Sequence, residues 1–317
     1  MTFDNEEELI KISVIFPEAR LVLRIKADDS HSTSKLGLKF GAEVENFEYL
    51  LKKAKNLGLN VIGIAFHVGS GCQSTDPYTD AIKKARHAFD LGKELGFKMT
   101  LLDIGGGFPG NDRNSKLSFE VISRSVNKDL DKYFAQNGNE LTIIAEPGRY
   151  YAMSAFDLIT LVTSKRTDSW NNQKLCMYYI NDGLYGSFSS VVTGNKVVEP
   201  IPLLRNQEEL ESRESCLTVI WGPTCDSYDC IRRDFKMPQL FVGEWIRFEN
   251  MGSYSMTASS HFNGMALPQI KIFVSDYAKS MLVKMKNWSK IEKLIDSYDN
   301  LEIYQNVSYI RNQVMAD

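Results

Sequence analysis

The sequence has no excess of basic residues: 37 Lys and Arg stand against 40 Asp and Glu over 317 residues, a net charge of −3. Binding to nucleic acid rests on a cationic footprint, so no nucleic-acid partner is expected. Long apolar runs are missing too. None reaches the ~18 residues of a membrane span, and no membrane partner is expected. The opening residues, Met1-Thr2-Phe3-Asp4-Asn5-Glu6-Glu7-Glu8, are acidic and lack the basic-then-apolar layout of a secretory leader. Cysteine is scarce and odd in number, at positions 72, 176, 216, 225 and 230, with no disulfide-framework spacing. Cys225 and Cys230 have no second Cys or His pair to complete a zinc site, so no metal is expected. Reduced thiols in a cytoplasmic protein are the consistent reading. Internal repeats and low-complexity linkers are absent.

What is present is an ordinary globular composition, 43% apolar, in a chain long enough for one large domain or two ordinary ones. Residues 6–16 read as a short helix burying Leu9, Ile10 and Ile12. Strand-like runs at 20–25, 60–66, 99–104 and 141–145 alternate with helices at 44–57, 76–95 and 117–134. Phe47, Leu50, Leu51, Ala54 and Leu57 mark one helical stripe, and Asp76 with Pro77 reads as a cap and first turn. Such alternation means βαβ units and a parallel sheet. It stops near residue 147, short of the ~250 residues of a full eight-stranded barrel. Beyond it, β-branched and aromatic runs at 158–163, 176–181, 217–221 and 244–249 predict an antiparallel β domain. A strand at 268–274, a helix from 276 to about 297 and a polar tail complete the chain.

Three consecutive strand ends carry polar, glycine-flanked clusters: His67-Val-Gly-Ser-Gly-Cys72, Asp103-Ile-Gly-Gly-Gly-Phe-Pro-Gly110 and Glu146-Pro-Gly-Arg-Tyr-Tyr151. A barrel builds its site from such ends at its C-terminal face. Glycines there let backbone N–H groups approach an anion, with phosphate the usual guest, although Gly-Gly-Gly alone also serves a plain turn. The later region adds Asn181-Asp-Gly-Leu-Tyr-Gly-Ser-Phe188, Trp221-Gly-Pro-Thr-Cys-Asp226 and Glu249-Asn-Met-Gly-Ser-Tyr254. Asn-Asp-Gly is also a common turn and a lone cysteine is often core filler.

Taken in order, the six strings resemble eukaryotic ornithine decarboxylases, a fold-type III group dependent on pyridoxal 5'-phosphate. The resemblance covers nearly the whole chain. It implies α/β plus β architecture: the second half of a TIM (β/α) barrel over residues 1–150, then a C-terminal antiparallel β domain, sandwich- or barrel-like with a terminal helix, over 151–317. It implies that Gly105, Gly106 and Gly107 give N–H groups to the cofactor phosphate, joined by Ser70 and Arg149, with Tyr254 closing over it. His67 would stack on the pyridine ring and Glu146 would pair with its nitrogen. Asp182 and Asp226 would hold the distal ammonium of the substrate, and Cys225 would return a proton to the substrate carbon. Cys225 and Asp226 would serve a partner subunit's cofactor, implying a homodimer with shared sites. Arg24 and Lys39 match a structural basic pair of the barrel.

The same resemblance sets the family's Schiff-base lysine on a first barrel strand that has no counterpart in this sequence. The chain is therefore expected to be an N-terminally truncated form, inactive by itself. At family level the expected reaction is decarboxylation of L-ornithine to putrescine. Two alternatives remain. One is a catalytically dead regulator resembling antizyme inhibitor, with antizyme as its partner. The other is a paralogue acting on another amino acid, because Ser227 and Tyr228 stand where the family usually has Gly-Leu.

Overall fold

The alternation of apolar runs and amphipathic helices carries into the structure, a computed structural model that describes residues 1–110, 117–135, 140–194, 196–204 and 206–299. The chain divides into two compact units, Met1–Phe156 and Asp157–Asp317. The first unit runs β1 (Thr2–Phe3), α1 (Glu6–Ile15), β2 (Arg20–Arg24), β3 (Ser32–Ser34), α2 (Phe47–Asn56), β4 (Asn60–Ala65), β5 (Ser70–Cys72), α3 (Asp76–Glu94), β6 (Leu101–Asp103), α4 (Phe119–Phe134), β7 (Thr142–Ile144) and α5 (Gly148–Ala152). Five of its strands form a wholly parallel sheet in the order β1-β2-β4-β6-β7. β3 and β5 pair antiparallel as a separate ribbon.

Local chemistry explains the helix starts. The Asn5 side chain accepts the Glu8 N–H at 2.9 Å, and Glu6, Glu7 and Glu8 lie in the first turn of α1, where the helix dipole favours negative charge. In α1 the buried residues are Leu9 and Ile12, whereas Ile10, expected inside, is 38% exposed. One residue is a 100° step round a helix, so Ile10 cannot share the narrow stripe of Leu9 and Ile12. α2 begins at Phe47 because residues 44–46 wind as a tighter 3-10 turn. The cap position of α3 belongs to Thr75; Asp76 is already helical, with Pro77 following in the first turn. Phe47, Leu51, Tyr78, Ile82, Phe89 and Leu102 are among the fully buried side chains of one continuous core. A smaller cluster of Val22, Ile62 and Ala65, backed by Leu101, lies on the other face of the sheet, as strand alternation requires. The outermost strand, β7, is exposed along its length, with Ile143 and Ile144 each 42% accessible.

The second unit contains β8 (Leu158–Trp170), β9 (Gln173–Ile180), α6 (Ser189–Thr193), β10 (Pro200–Leu203), α7 (Gln207–Ser212), β11 (Ser215–Trp221), β12 (Cys230–Pro238), β13 (Trp245–Phe248), α8 (Asp276–Leu282) and α9 (Trp288–Asp299). Its sheet has the order β10-β13-β8-β9-β11-β12. β8 and β9 join through Asn171 and Asn172, both at positive φ, the backbone of a two-residue hairpin turn. The expectation of a purely antiparallel domain needs correction, because β9 and β11 pair parallel. Residues 181–214 make the long crossover that parallel neighbours require. The strand expected at 268–274 does not form. A strand exists only through its pairing, and among the described residues this run has no ladder partner, leaving Ile270 and Phe273 exposed. The expected helix from 276 to about 297 is two, α8 and α9, with Asn287 directly before the second. The polar tail lies largely outside the described residues. Among those described, no helix is long and apolar enough to cross a membrane, and no His, Cys, Asp and Glu cluster could hold a metal ion.

Candidate functional site

In the first unit the site is made by the C-terminal ends of neighbouring parallel strands. β4 leads into His67 and Ser70, β6 into Asp103 and the three glycines, and β7 into Glu146 and Arg149. Parallel register therefore brings together residues 79 apart in sequence: Arg149 directs its Nε (3.2 Å) and one terminal nitrogen (3.0 Å) to Ser70 Oγ.

The glycine turn is held rather than loose. Gly105 N–H donates to Asp103 Oδ1 at 2.9 Å, and its carbonyl accepts the Glu146 N–H at 2.7 Å. The buried Tyr78 hydroxyl donates to the Gly106 carbonyl at 3.1 Å. Gly105 and Gly107 have φ of +63° and +103°, flanking a Gly106 that does not, an alternation that turns successive N–H groups toward one hollow. Among the described residues no acceptor meets the N–H of Gly106 or Gly107. Space is as restricted as the backbone is: a Cβ at Gly106 would stand 2.7 Å from His67 Nε2 and 2.9 Å from the Glu146 carbonyl.

Charge states follow from the surroundings. His67 is pushed down to about 4, chiefly by burial and then by the Arg24 guanidinium, so the ring is neutral at pH 7. Its Nδ1 accepts the Gly69 N–H at 3.0 Å, which leaves the proton on Nε2. Desolvation raises Asp103 and Glu146 above the ordinary carboxylate range. Glu146 is raised further by Asp103, while Arg24 opposes both. Arg24 and Lys39 both lie over the Phe40 ring, at 4.6 and 5.0 Å.

The remaining expected residues fall in the second unit. Asp182, buried after β9, accepts the N–H groups of Gly183 (2.7 Å) and Ser187 (2.9 Å) through Oδ1. Its Oδ2 is buried without a hydrogen-bond partner among the described residues. A cavity of about 300 Å³ lined by Leu158, Asn181, Asp182, Met265 and Leu267 opens beside it. Asp226 accepts the Tyr185 hydroxyl and the Tyr228 N–H; the hydroxyl first and the N–H second hold it below the ordinary carboxylate range. Cys225 is exposed, and Asn263 Nδ2 donates to its sulfur at 3.1 Å. Tyr254 is 55% exposed, with φ of +53° and its carbonyl accepting Ser189 Oγ at 3.4 Å.

Sequence reasoning missed Asp229 and Asn263. Asp229 is 1% exposed, accepting Leu184 N–H through Oδ1 and both the N–H and hydroxyl of Thr224 through Oδ2. It ties the Asp182 turn to the Cys225 loop across 45 residues of sequence, a distance that no local pattern reveals. The Asn263-Gly264 dipeptide did carry a turn signal.

Residues 1–153 match the family described as pyridoxal-dependent decarboxylase, pyridoxal binding domain. The arginine decarboxylase of Paramecium bursaria Chlorella virus, solved with agmatine, superposes with a TM-score of 0.76 at 36% identity, covering 84% of this chain and 69% of that one. The chain belongs to the pyridoxal-dependent decarboxylase family. Lysine decarboxylase from Selenomonas ruminantium, a further solved relative, gives a TM-score of 0.74 at 32% identity, covering 88% of this chain and 70% of its own. Antizyme inhibitor 2 of Xenopus laevis is 48% identical over 272 residues, 83% of this chain and 59% of the relative. Ornithine decarboxylase of Rattus norvegicus is 44% identical over 296 residues, 90% and 62% respectively. The chain thus spans about three fifths of the length of these curated relatives. Within this decarboxylase family, pyridoxal phosphate is the cofactor against which the glycine turn is to be tested.

The residues present fit that cofactor. A dianionic phosphate needs fixed donors and a cation. Gly106 and Gly107 offer unengaged N–H groups, Ser70 a hydroxyl and Arg149 a guanidinium already aimed at that hydroxyl.

Proposed function

We propose that this chain carries the cofactor-gripping part of a TIM barrel and the β domain of an ornithine-decarboxylase-type enzyme, the reaction being decarboxylation of L-ornithine to putrescine. The open edges β1 and β7 are, on this reading, where further barrel strands close the sheet. The observation that carries the reading is the unengaged N–H pair of Gly106 and Gly107 beside Ser70 and Arg149.

When bound, pyridoxal phosphate supplies an electron sink for the pair left by departing CO₂. The chain's own residues do the rest. Gly106, Gly107, Ser70 and Arg149 hold the phosphate, while Gly105, whose N–H is already given to Asp103 Oδ1, shapes the turn instead of donating to it. The neutral His67 ring offers a flat apolar face to the cofactor ring. Glu146 receives the ring's N–H⁺, and its raised proton affinity suits a carboxylate sharing a proton there. Asp182, through its unpartnered Oδ2, and the ionised Asp226 hold the substrate's distal ammonium. Cys225 gives its Sγ proton to the substrate carbon that has lost CO₂. Assembly as a homodimer lets Cys225 and Asp226 act on the partner's cofactor.

A second reading, an antizyme-inhibitor-like regulator, is favoured by the 48% identity to antizyme inhibitor 2. Two assays separate them. A protein that includes the length its relatives carry should release CO₂ from L-ornithine. Cofactor-independent capture of antizyme without CO₂ release would support the regulator instead.

A further inference from the structure

The Cys225 sulfur does not stand alone in its loop. Three segments distant in sequence converge around it within the second unit: residues 183–187, 222–229 and 260–264. Tyr185 is the hub. Its hydroxyl donates to Asp226 Oδ2, its ring stacks on Phe262 (4.2 Å between centroids, 28°), and its carbonyl accepts Ser260 N–H at 2.8 Å and Ser260 Oγ at 3.2 Å. Ser260 Oγ in turn accepts the Phe262 N–H at 3.3 Å. The 260–264 turn is therefore docked, and what it presents to the loop is Asn263. That residue takes a left-handed backbone, φ +56°, a conformation asparagine tolerates better than most residues. In that conformation its Nδ2 reaches Cys225 Sγ at 3.1 Å.

The titratable groups on the three segments are Asp226 and Asp229 beside the thiol, with Tyr185, Tyr228, His261 and, next to the first segment, Asp182. Both loop carboxylates have their oxygens engaged elsewhere, Asp226 by Tyr185 and Tyr228, Asp229 by Leu184 and Thr224. No described lysine or arginine is hydrogen-bonded to this loop. The amide of Asn263 is the one side-chain donor that the described structure directs at the sulfur.

We propose that Asn263 is the positioning residue for the Cys225 proton. Its N–H donor occupies one sulfur lone pair, turns the S–H away from itself, and stabilises the thiolate once the proton has gone. This rests on the reading of Cys225 as proton donor. In that step the S–H bond breaks, a C–H bond forms at the substrate carbon, and the bonding pair stays on sulfur. A hydrogen bond to a charged acceptor is stronger than to a neutral one, so the amide favours the state after proton release over the state before it.

The test reads the thiol and not the decarboxylation, so that it stands or falls apart from the enzymatic reading. Iodoacetamide alkylation of Cys225 is followed by peptide mass spectrometry from pH 6 to pH 10.5, each rate divided by its own high-pH plateau to remove differences in access. Asn263→Gly keeps the left-handed backbone and removes the donor. Its normalised rate at pH 7 should fall about fivefold, the thiolate then losing one charge-assisted hydrogen bond. Asn263→Asp keeps shape and backbone and sets a carboxylate against the sulfur, so the fall should be larger. Thermal melting checks that both variants fold. Normalised profiles of both folded variants superposing on that of the unmodified protein would overturn the proposal. Unchanged profiles in one variant alone would overturn it equally, since each removes the same donor.

Discussion

Replacing Asp229 by alanine removes a buried carboxylate that ties the Asp182 turn to the Cys225 loop. Its carboxylate is 1% exposed and accepts three hydrogens, from Leu184 N–H at 2.7 Å, Thr224 N–H at 3.1 Å and Thr224 Oγ at 2.7 Å. The variant leaves all three donors unpaired, at about 1–3 kcal/mol for each buried group. Against this stands the desolvation of the carboxylate, which the variant no longer has to meet. The balance should be a loss of about 2–5 kcal/mol, three neutral donors left unpaired less the recovered desolvation. Asp229→Asn separates the hydrogen-bond account from one of charge or shape. Donors approach both oxygens, so an amide satisfies one side and meets the other with its own N–H groups. It should therefore recover little stability. Urea unfolding monitored by tryptophan emission, Trp221 lying just before the loop, measures both variants. An asparagine variant within about 0.5 kcal/mol of the unmodified protein, the level of an ordinary surface change, would refute the reasoning.

Phe47→Ala opens a cavity under α2 at a fully buried position and should cost the first unit about 3–5 kcal/mol. Its urea transition should shift while a probe in the second unit, such as Trp221 emission, keeps its midpoint; a common shift would show that the two units unfold together. The depressed His67 gives a pH dependence with a defined sign. Because the folded state binds that proton less readily than the unfolded chain, its contribution is fully present above pH 6.5 and is lost as pH falls toward about 4. The loss approaches about 3 kcal/mol before the discount for partial exposure. In His67→Phe, urea midpoints measured from pH 7.5 to pH 4 should show a flatter acid arm than the unmodified protein, and parallel arms would contradict the cause assigned here.

The convergence of residues around the glycine turn was legible because they are written in contiguous strings at neighbouring strand ends. Glycines at 105–107 directly after an apolar strand run leave few roles besides a tight turn or an anion cradle, and His67, Glu146 and Arg149 sit at matching strand ends. The half proposed to face substrate was legible only by residue identity. Asp182, Cys225 and Asp226 could be named, but what holds them in place could not. Asp229 and Asn263 act through contacts 45 and 38 residues away in the chain, respectively. Strand pairing was the other blind spot. The run at 268–274 has β-branched and aromatic side chains at Ile270, Ile272, Phe273 and Val274 but no ladder partner among the described residues, whereas the crossover that makes β9 and β11 parallel depends on where β10 lands, at the far edge of the sheet. Ile10 shows the same limit on a smaller scale, since apolar character does not say which side of a short helix faces the core.

The account depends on the backbone of residues 105–107 gripping a phosphate. The most direct measurement is a phosphorus-31 NMR titration of pyridoxal 5'-phosphate into the unmodified chain and into Gly106→Ala, whose added methyl would press on His67 Nε2 and the Glu146 carbonyl. The unmodified chain should shift and broaden the phosphate resonance saturably, and the alanine variant should weaken that binding at least about tenfold, the loss of roughly one charge-assisted hydrogen bond. A folded Gly106→Ala chain that binds the phosphate as tightly as the unmodified protein would contradict the central claim.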